Sequence, residues 1–88
     1  MKISGQQKRV AAYLLGRSWF SANEGEGPNC REFPKRLVIN ESEARSWLAA
    51  ESRNDTHWNR GSWDCGSDKA YIAPVYADGT IGDRIYAN

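Results

Sequence analysis

The chain has 88 residues, a mass of 9.9 kDa and a formal net charge of +1. Area scaling lets a chain of that size bury about 64% of its unfolded surface, enough for one thin core in a single domain spanning residues 1–88 without room for a large cofactor. Leu, Ile, Val and Phe make up only 14 residues, yet four Trp and four Tyr restore the missing apolar area, so the chain folds. There is no apolar run long enough for a bilayer, no heptad pattern and no internal repeat, and two Cys are too few for a disulfide framework.

Ser4 has the chemistry of a helix N-cap, with Gln7 at the capping-box offset. Val10, Ala11, Leu14 and Leu15 recur at helical spacing, Tyr13 widens the stripe and Gly16 is a natural stop. The spacing predicts a first helix over about Gly5 to Leu15, with Trp19 and Phe20 opening a short strand. Residues 23–34 carry Asn23, Gly25, Gly27, Pro28, Asn29 and Pro34 among three glutamates, and that composition predicts a long binding or mobile loop.

Leu37, Val38 and Ile39 predict a short buried strand leading into a second helix. Asn40 caps that helix with Glu43 at the capping-box position, and Ala44, Trp47 and Leu48 share its buried face until it ends near Arg53. Residues 54–68 predict a second irregular segment carrying His57, Trp58, Trp63 and Cys65. Ala70 to Tyr76 form a strand in which Pro74 requires an edge position or a bulge. Asp78-Gly79 is a hairpin signal, and Ile81, Ile85 and Tyr86 lie on the returning strand. The expected fold is α+β: two helices packed on a small, mostly antiparallel sheet of three to four strands, ending in a C-terminal β-hairpin.

The chemistry-bearing residues are sparse. Cys30, His57, Asp64 and Cys65 lack the tight ligand pairs of a zinc site, and Gly25 and Gly27 lack the Lys-Ser/Thr of a phosphate loop. The sequence therefore implies no metal and no cofactor. Asp64 and Asp68 stand close together, but solvated acids are ordinary in loops. A stretch over Lys2, Lys8, Arg9 and Val10–Gly16 imitates a secretory leader, with Ser21-Ala22 as the cleavage site. Its apolar part is too short and runs at once into Arg17. The expected location is the cytoplasm, with reduced thiols and no membrane association.

Charge is uneven along the chain. Residues 1–40 carry seven basic and three acidic side chains, and residues 41–88 carry five and eight. Lys8, Arg9 and Arg17 would form a basic ridge on the first helix, and Arg31, Lys35 and Arg36 a second cluster. The more unusual feature is Trp58, Arg60 and Trp63 in a polar segment without periodic apolar partners. Trp and Arg are enriched at interface hot spots, and Asp55, Asp64 and Asp68 would form an acidic rim around them.

A small size, an aromatic-rich polar segment, a mixed α+β pattern and the lack of a catalytic signature resemble, in style, small phage-encoded anti-defence inhibitors such as anti-CRISPR proteins. That resemblance implies a non-catalytic protein that inhibits a bacterial nucleic-acid-handling complex by stoichiometric binding. The expected function is accordingly a protein-binding module, not an enzyme. Trp58, Arg60, Trp63, Asp64 and Asp68 would contact a protein or ribonucleoprotein partner. The alternative is a nucleic-acid-binding domain using Lys8, Arg9, Arg31, Lys35 and Arg36. A third reading is a small enzyme using His57 with Cys65 or Asp64, and a homodimer that buries the indoles is a further arrangement.

Overall fold

A computed structural model describes residues 9–23, 27–61 and 64–87. Their order is β1 (Val10–Asn23), β2 (Gly27–Val38), α1 (Glu41–Glu51), a 3₁₀ turn (Ser52–Asn54), β3 (Thr56–Asn59), β4 (Asp64–Tyr76) and β5 (Ile85–Tyr86). The strands form one antiparallel sheet in the order β2-β1-β4-β3, with β5 also paired to β4. The class is the expected α+β, but among the described residues one helix covers the sheet where two were expected.

The stripe at residues 10–15 is strand β1, and the Ser4–Gln7 cap lies outside the described residues. Val10 to Leu15 is apolar on both sides, so helical spacing and two-residue alternation both fit it, and tertiary pairing decides. Tyr13 and Leu15 point to the core under α1, while Leu14 lies on the opposite face. Gly16 is a crossing point and not a helix stop. A Cβ there would sit 2.8 Å from the Tyr71 hydroxyl and 2.9 Å from the Phe33 carbonyl oxygen.

The expected loop at 23–34 is largely strand β2, paired with β1 from Gly27 onward. Its prolines fit because β2 is an edge. The Pro74 carbonyl accepts from Gly82 N at 2.8 Å, so Pro74 turns away from β1. Alternation from that pair turns the even residues of β1 toward β4. Pro28 and Pro34 lie opposite Ala22 and Gly16. Each therefore directs its hydrogen-free nitrogen to the open side, where an edge strand tolerates proline. Lys35 is the extra residue of a bulge, since Leu15 pairs with Arg36 and Gly16 with Pro34. The strand expected at Leu37–Ile39 is only the end of β2. Val38 alone is buried, Leu37 is on the outer face, and Ile39 is 84% exposed.

Helix α1 forms as the sequence indicates. Asn40 Oδ1 accepts from Glu43 N at 3.2 Å, and Ala44 and Leu48 are buried with Trp47 against the core. The C-terminal hairpin also forms. Gly79 takes a φ of +92°, its N–H donates to Tyr76 O at 2.9 Å, and Asp78 Oδ1 accepts from Thr80 N at 3.0 Å. Pro74 lies in β4 between β1 and Gly82, beside the irregularity between Val10 and Ala12.

Helix and sheet are joined by Arg17. Expected as an exposed base, it lies on β1 with its side chain only 12% exposed. Its Nε donates to Asp68 Oδ1 at 3.0 Å, Nη1 to Glu51 Oε2 at 3.0 Å and Nη2 to Asp55 Oδ1 at 3.1 Å. Nη2 also reaches the Asn54 and Asp68 carbonyls, both at 3.3 Å. A guanidinium suits this place because its planar fork serves several acceptors while its charge meets the carbonyl end of the helix. Asp55 Oδ1 in turn accepts from Ala70 N at 2.8 Å, an N–H that β4 does not give to β1. The carboxylates raise the Arg17 pKa against the opposing effect of burial.

On the other face the residues after the hairpin return over Tyr71, which is 1% exposed. Arg84 lies 5.8 Å from the Tyr71 ring centre and is ion-paired with Glu32, and the Tyr86 ring meets Tyr71 edge-on at 6.5 Å. The Tyr71 hydroxyl is buried without a partner. Burial, and secondarily Tyr86, pushes its pKa above the ordinary 10.0.

Two outcomes follow. Breaking the guanidinium cluster strands three carboxylates, so Arg17→Ala should cost about 3–5 kcal/mol in urea unfolding, and Arg17→Lys, which keeps charge without the fork, should recover less than half of it. Tyr71→Phe removes an unsatisfied buried hydroxyl and should raise stability by about 1 kcal/mol at neutral pH. Because folding holds the Tyr71 proton, its contribution is present below pH 10 and falls as pH rises through the raised pKa. The wild type should therefore lose stability above that pH more steeply than Tyr71→Phe does.

Candidate functional site

The sheet is longer than its cover. An 11-residue helix spans about 16 Å, whereas the 14 residues of β1 span about 46 Å. The helix sits over Tyr13, Leu15, Ala70 and Ile72, and Arg17 marks the end of that cover. Beyond it the same face continues as an open sheet surface. By register, β2 supplies Asn29, Arg31 and Phe33 there, β1 supplies Trp19, Ser21 and Asn23, β4 supplies Asp64 and Gly66, and β3 supplies Trp58.

Trp58 is placed by glycine and carboxylate. A Cβ on Gly66 would lie 2.3 Å from Trp58 Cζ2, so the indole rests directly on the Gly66 backbone. Its Nε1–H donates to Asp64 Oδ1 at 3.2 Å, and Arg60 Nη1 donates to Asp64 Oδ2 at 2.8 Å. The turn is set by Asn59 Oδ1, which accepts from Gly61 N at 3.0 Å, and by Gly61 at a φ of +101°. With its amide oriented to donate, Asn23 also reaches Asp64 Oδ1 at 3.1 Å. Asp64 thus fixes three neighbours while its own side chain is 15% exposed.

The Trp58 ring meets Trp19 at 6.5 Å between centroids and a 39° tilt. The two half-buried indoles form a ledge, and a shallow depression of about 510 Å³ beside it is lined by Ser21, Asn23, Asn29, Arg60 and Asp64. Phe33, at 49% exposure, extends the apolar surface toward the sheet edge.

Of the residues singled out from sequence, Trp58, Arg60 and Asp64 come together here. Trp63 lies outside the described residues. Asp68 lies directly across from Trp19 on the same face with one carboxylate oxygen bonded to Arg17, and Asp55 is held by Arg17 beyond the end of α1. The expected irregular segment contains β3 and the start of β4. Trp19, Asn23 and Asn29 were not anticipated in the site. The one signal that could have found them is a pairing of Trp19's strand with that of Trp58 through β4.

The basic residues fall into two groups, one before β1 and one along β2. Lys8 lies outside the described residues and Arg9 precedes β1, with its carbonyl accepting from Ala77 N at 2.8 Å. Arg31 and Arg36 are exposed on β2, Arg36 at 3.9 Å from Glu43, and Lys35 occupies the bulge. There is no helical basic ridge among the described residues.

His57 is exposed on the face opposite Trp58, which separates it from Asp64. His57 and Cys65 are diagonal neighbours on that face, and among the described residues no hydrogen bond joins them. Cys30 and Cys65 are free and lie on β2 and β4 with β1 between them. That separation of two strand spacings, about 9.6 Å, is beyond disulfide reach. Among the described residues no cluster of three or more His, Cys, Asp or Glu could hold a metal ion, and no helix is long and apolar enough to cross a membrane.

No family model, curated protein or solved structure matches the chain.

The seat of Trp58 is directly testable. A Cβ on Gly66 would also meet the Phe20 carbonyl oxygen at 2.3 Å, so Gly66→Ala should lift the indole and strain the β1–β4 pairing together, at a cost of about 3 kcal/mol. Tryptophan emission should shift to the red as the indole gains solvent. An unchanged emission spectrum would show that Trp58 does not rest on Gly66.

Proposed function

We propose that this protein is a small non-catalytic binding module that engages a protein partner through the open end of its sheet. The observation that carries the reading is the Trp19–Trp58 ledge, held in place by Asp64 and Gly66 on a face that α1 leaves uncovered. Rigid indoles present large apolar area with little rotamer entropy to lose, and a polar surround of Asn23, Asn29 and Arg60 supplies directional bonds. Strands position these side chains more firmly than a loop would. Inhibition of a larger complex by occupying one of its surfaces is compatible with such a module.

Nucleic-acid binding is a second reading, favoured by Arg31 lying across from Trp19 and by the exposure of Lys35 and Arg36 on the same strand. Bases stack on indoles, and the arginines would reach phosphates.

Affinity capture with the intact chain, with and without nuclease, separates the two. A nuclease-resistant protein partner lost with Trp19→Ala or Trp58→Ala, each weakening binding by roughly thirtyfold or more, is the expected result. Capture that disappears on nuclease treatment and weakens steeply with salt would establish the second reading instead. A partner retained by both tryptophan variants, with their fold verified, would remove the ledge from the function.

A further inference from the structure

We infer that the open half of the sheet face docks a helix of the partner that carries an acidic and a basic residue on either side of an apolar one, an inference that rests on the protein-binding reading above. The motivation is the row of side chains that crosses the strands at Trp19. Arg31 on β2 and Asp68 on β4 both lie directly across from Trp19, so a base, an indole and an acid stand in line on one face. The two charged residues are two strand spacings apart, about 9.6 Å.

Neither end of that row is neutral. Arg31 is exposed and, among the described residues, has no ion pair, while its neighbour Glu32 is taken by Arg84 on the opposite face. At the other end Arg17 is a single base among Glu51, Asp55 and Asp68. Asp68 accepts from Arg17 through Oδ1, and its side chain is 38% exposed, so the rest of the carboxylate is open to solvent.

An occupant that covers Trp19 strips solvent from both ends, and a charge taken out of water unpaired is costly. The occupant therefore brings an anion to Arg31 and a cation to the carboxylates around Arg17. A segment of one sign pairs with one end and is repelled by the other, which counts against a polyacidic chain, a polybasic chain and a nucleic-acid strand alike. An uncharged segment leaves both ends unpaired. Asp64 and Arg60, further along the face, neutralise each other and make no such demand.

An α-helix meets the demand in one piece. Its residues i, i+3 and i+7 lie on one face, with about 10.5 Å of rise from the first to the last. An extended chain instead presents residues about 6.8 or 13.6 Å apart on one face, and neither spacing matches the row. Residues 18–23 of β1 run about 20 Å beyond Arg17, which leaves room for a helix about 10–12 Å across. Such a helix continues the layer that α1 begins.

The test uses alanine-based helical peptides of about 16 residues, titrated into the intact ¹⁵N-labelled protein while the indole N–H signals are followed. One peptide carries Glu, Leu and Lys at positions i, i+3 and i+7. Its analogues carry Gln-Leu-Gln, Glu-Leu-Glu and Lys-Leu-Lys at the same positions, with helicity matched by circular dichroism. The Glu-Leu-Lys peptide should shift the Trp19 and Trp58 signals saturably and bind about tenfold or more tightly than each analogue. Arg31→Glu, at an exposed position that spares the Arg17 cluster, should transfer the preference to the Lys-Leu-Lys peptide. Indole signals unmoved by all four peptides would overturn the inference. So would equal binding of the Gln-Leu-Gln analogue, or an order of affinities that Arg31→Glu leaves unchanged. A partner whose capture depends on Trp58 but is indifferent to Arg31→Glu would overturn it while leaving the protein-binding reading intact.

Discussion

The structure depends on one guanidinium. Arg17 leaves β1 at the point where the helical cover stops, and it gathers carboxylates that are distant in sequence from the end of α1, the residue before β3 and the middle of β4. Without it the C-terminal end of α1 would have its carbonyls and Glu51 over the sheet with no cation. Three acids around one base leave a local negative excess, and the exposed sides of Glu51 and Asp68 let water carry part of it. The cluster therefore acts as a clamp more than as a source of large net stability. What it decides is how far along the sheet the helix reaches.

That limit creates the candidate site. Among the described residues, a single short helix on strands more than twice its length leaves the far half of one face without a partner element. A bare face of that kind would ordinarily be polar. Here it carries Trp19, Trp58 and Phe33, and Gly66 lets one indole lie flat while Asp64 ties its N–H. The described chain measures 49 × 31 × 19 Å with a radius of gyration of 15.8 Å, against about 12 Å for a compact chain of this length. The overhanging sheet accounts for the difference. The same alternation that puts the indoles on one face sends His57, Cys30 and Cys65 to the other, so the aromatic surface and the reactive side chains do not share a site.

Parts governed by local rules were legible in the sequence. Asn40 with Glu43 gave the start of α1, and Asp78-Gly79 gave the hairpin, because each is decided by a few neighbouring residues. The N-terminal strand was not legible: Val10 to Leu15 satisfies two periods, and only β2 and β4 on either side of it settle the choice. Strand β2 was hidden by Pro28 and Pro34, which read as loop residues until the edge position and their outward nitrogens are known. In the site, Trp58, Arg60 and Asp64 were visible as a local cluster. Trp19 was not, since its neighbour Trp58 reaches it across β4, and the bond from Arg17 to Asp68 was not, since the two are 51 positions apart.

The central proposal is that a protein partner covers the half of the helix-side face that α1 leaves open. Oxidative footprinting of tryptophan in the free protein and in the purified complex addresses it without any substitution. The account predicts that Trp19 and Trp58 become protected in the complex while Trp47, packed beside the core under α1, keeps its reactivity. Unchanged reactivity of Trp19 and Trp58 in a stoichiometric complex, with protection found instead around Leu37 and Ile81 on the opposite face, would contradict it.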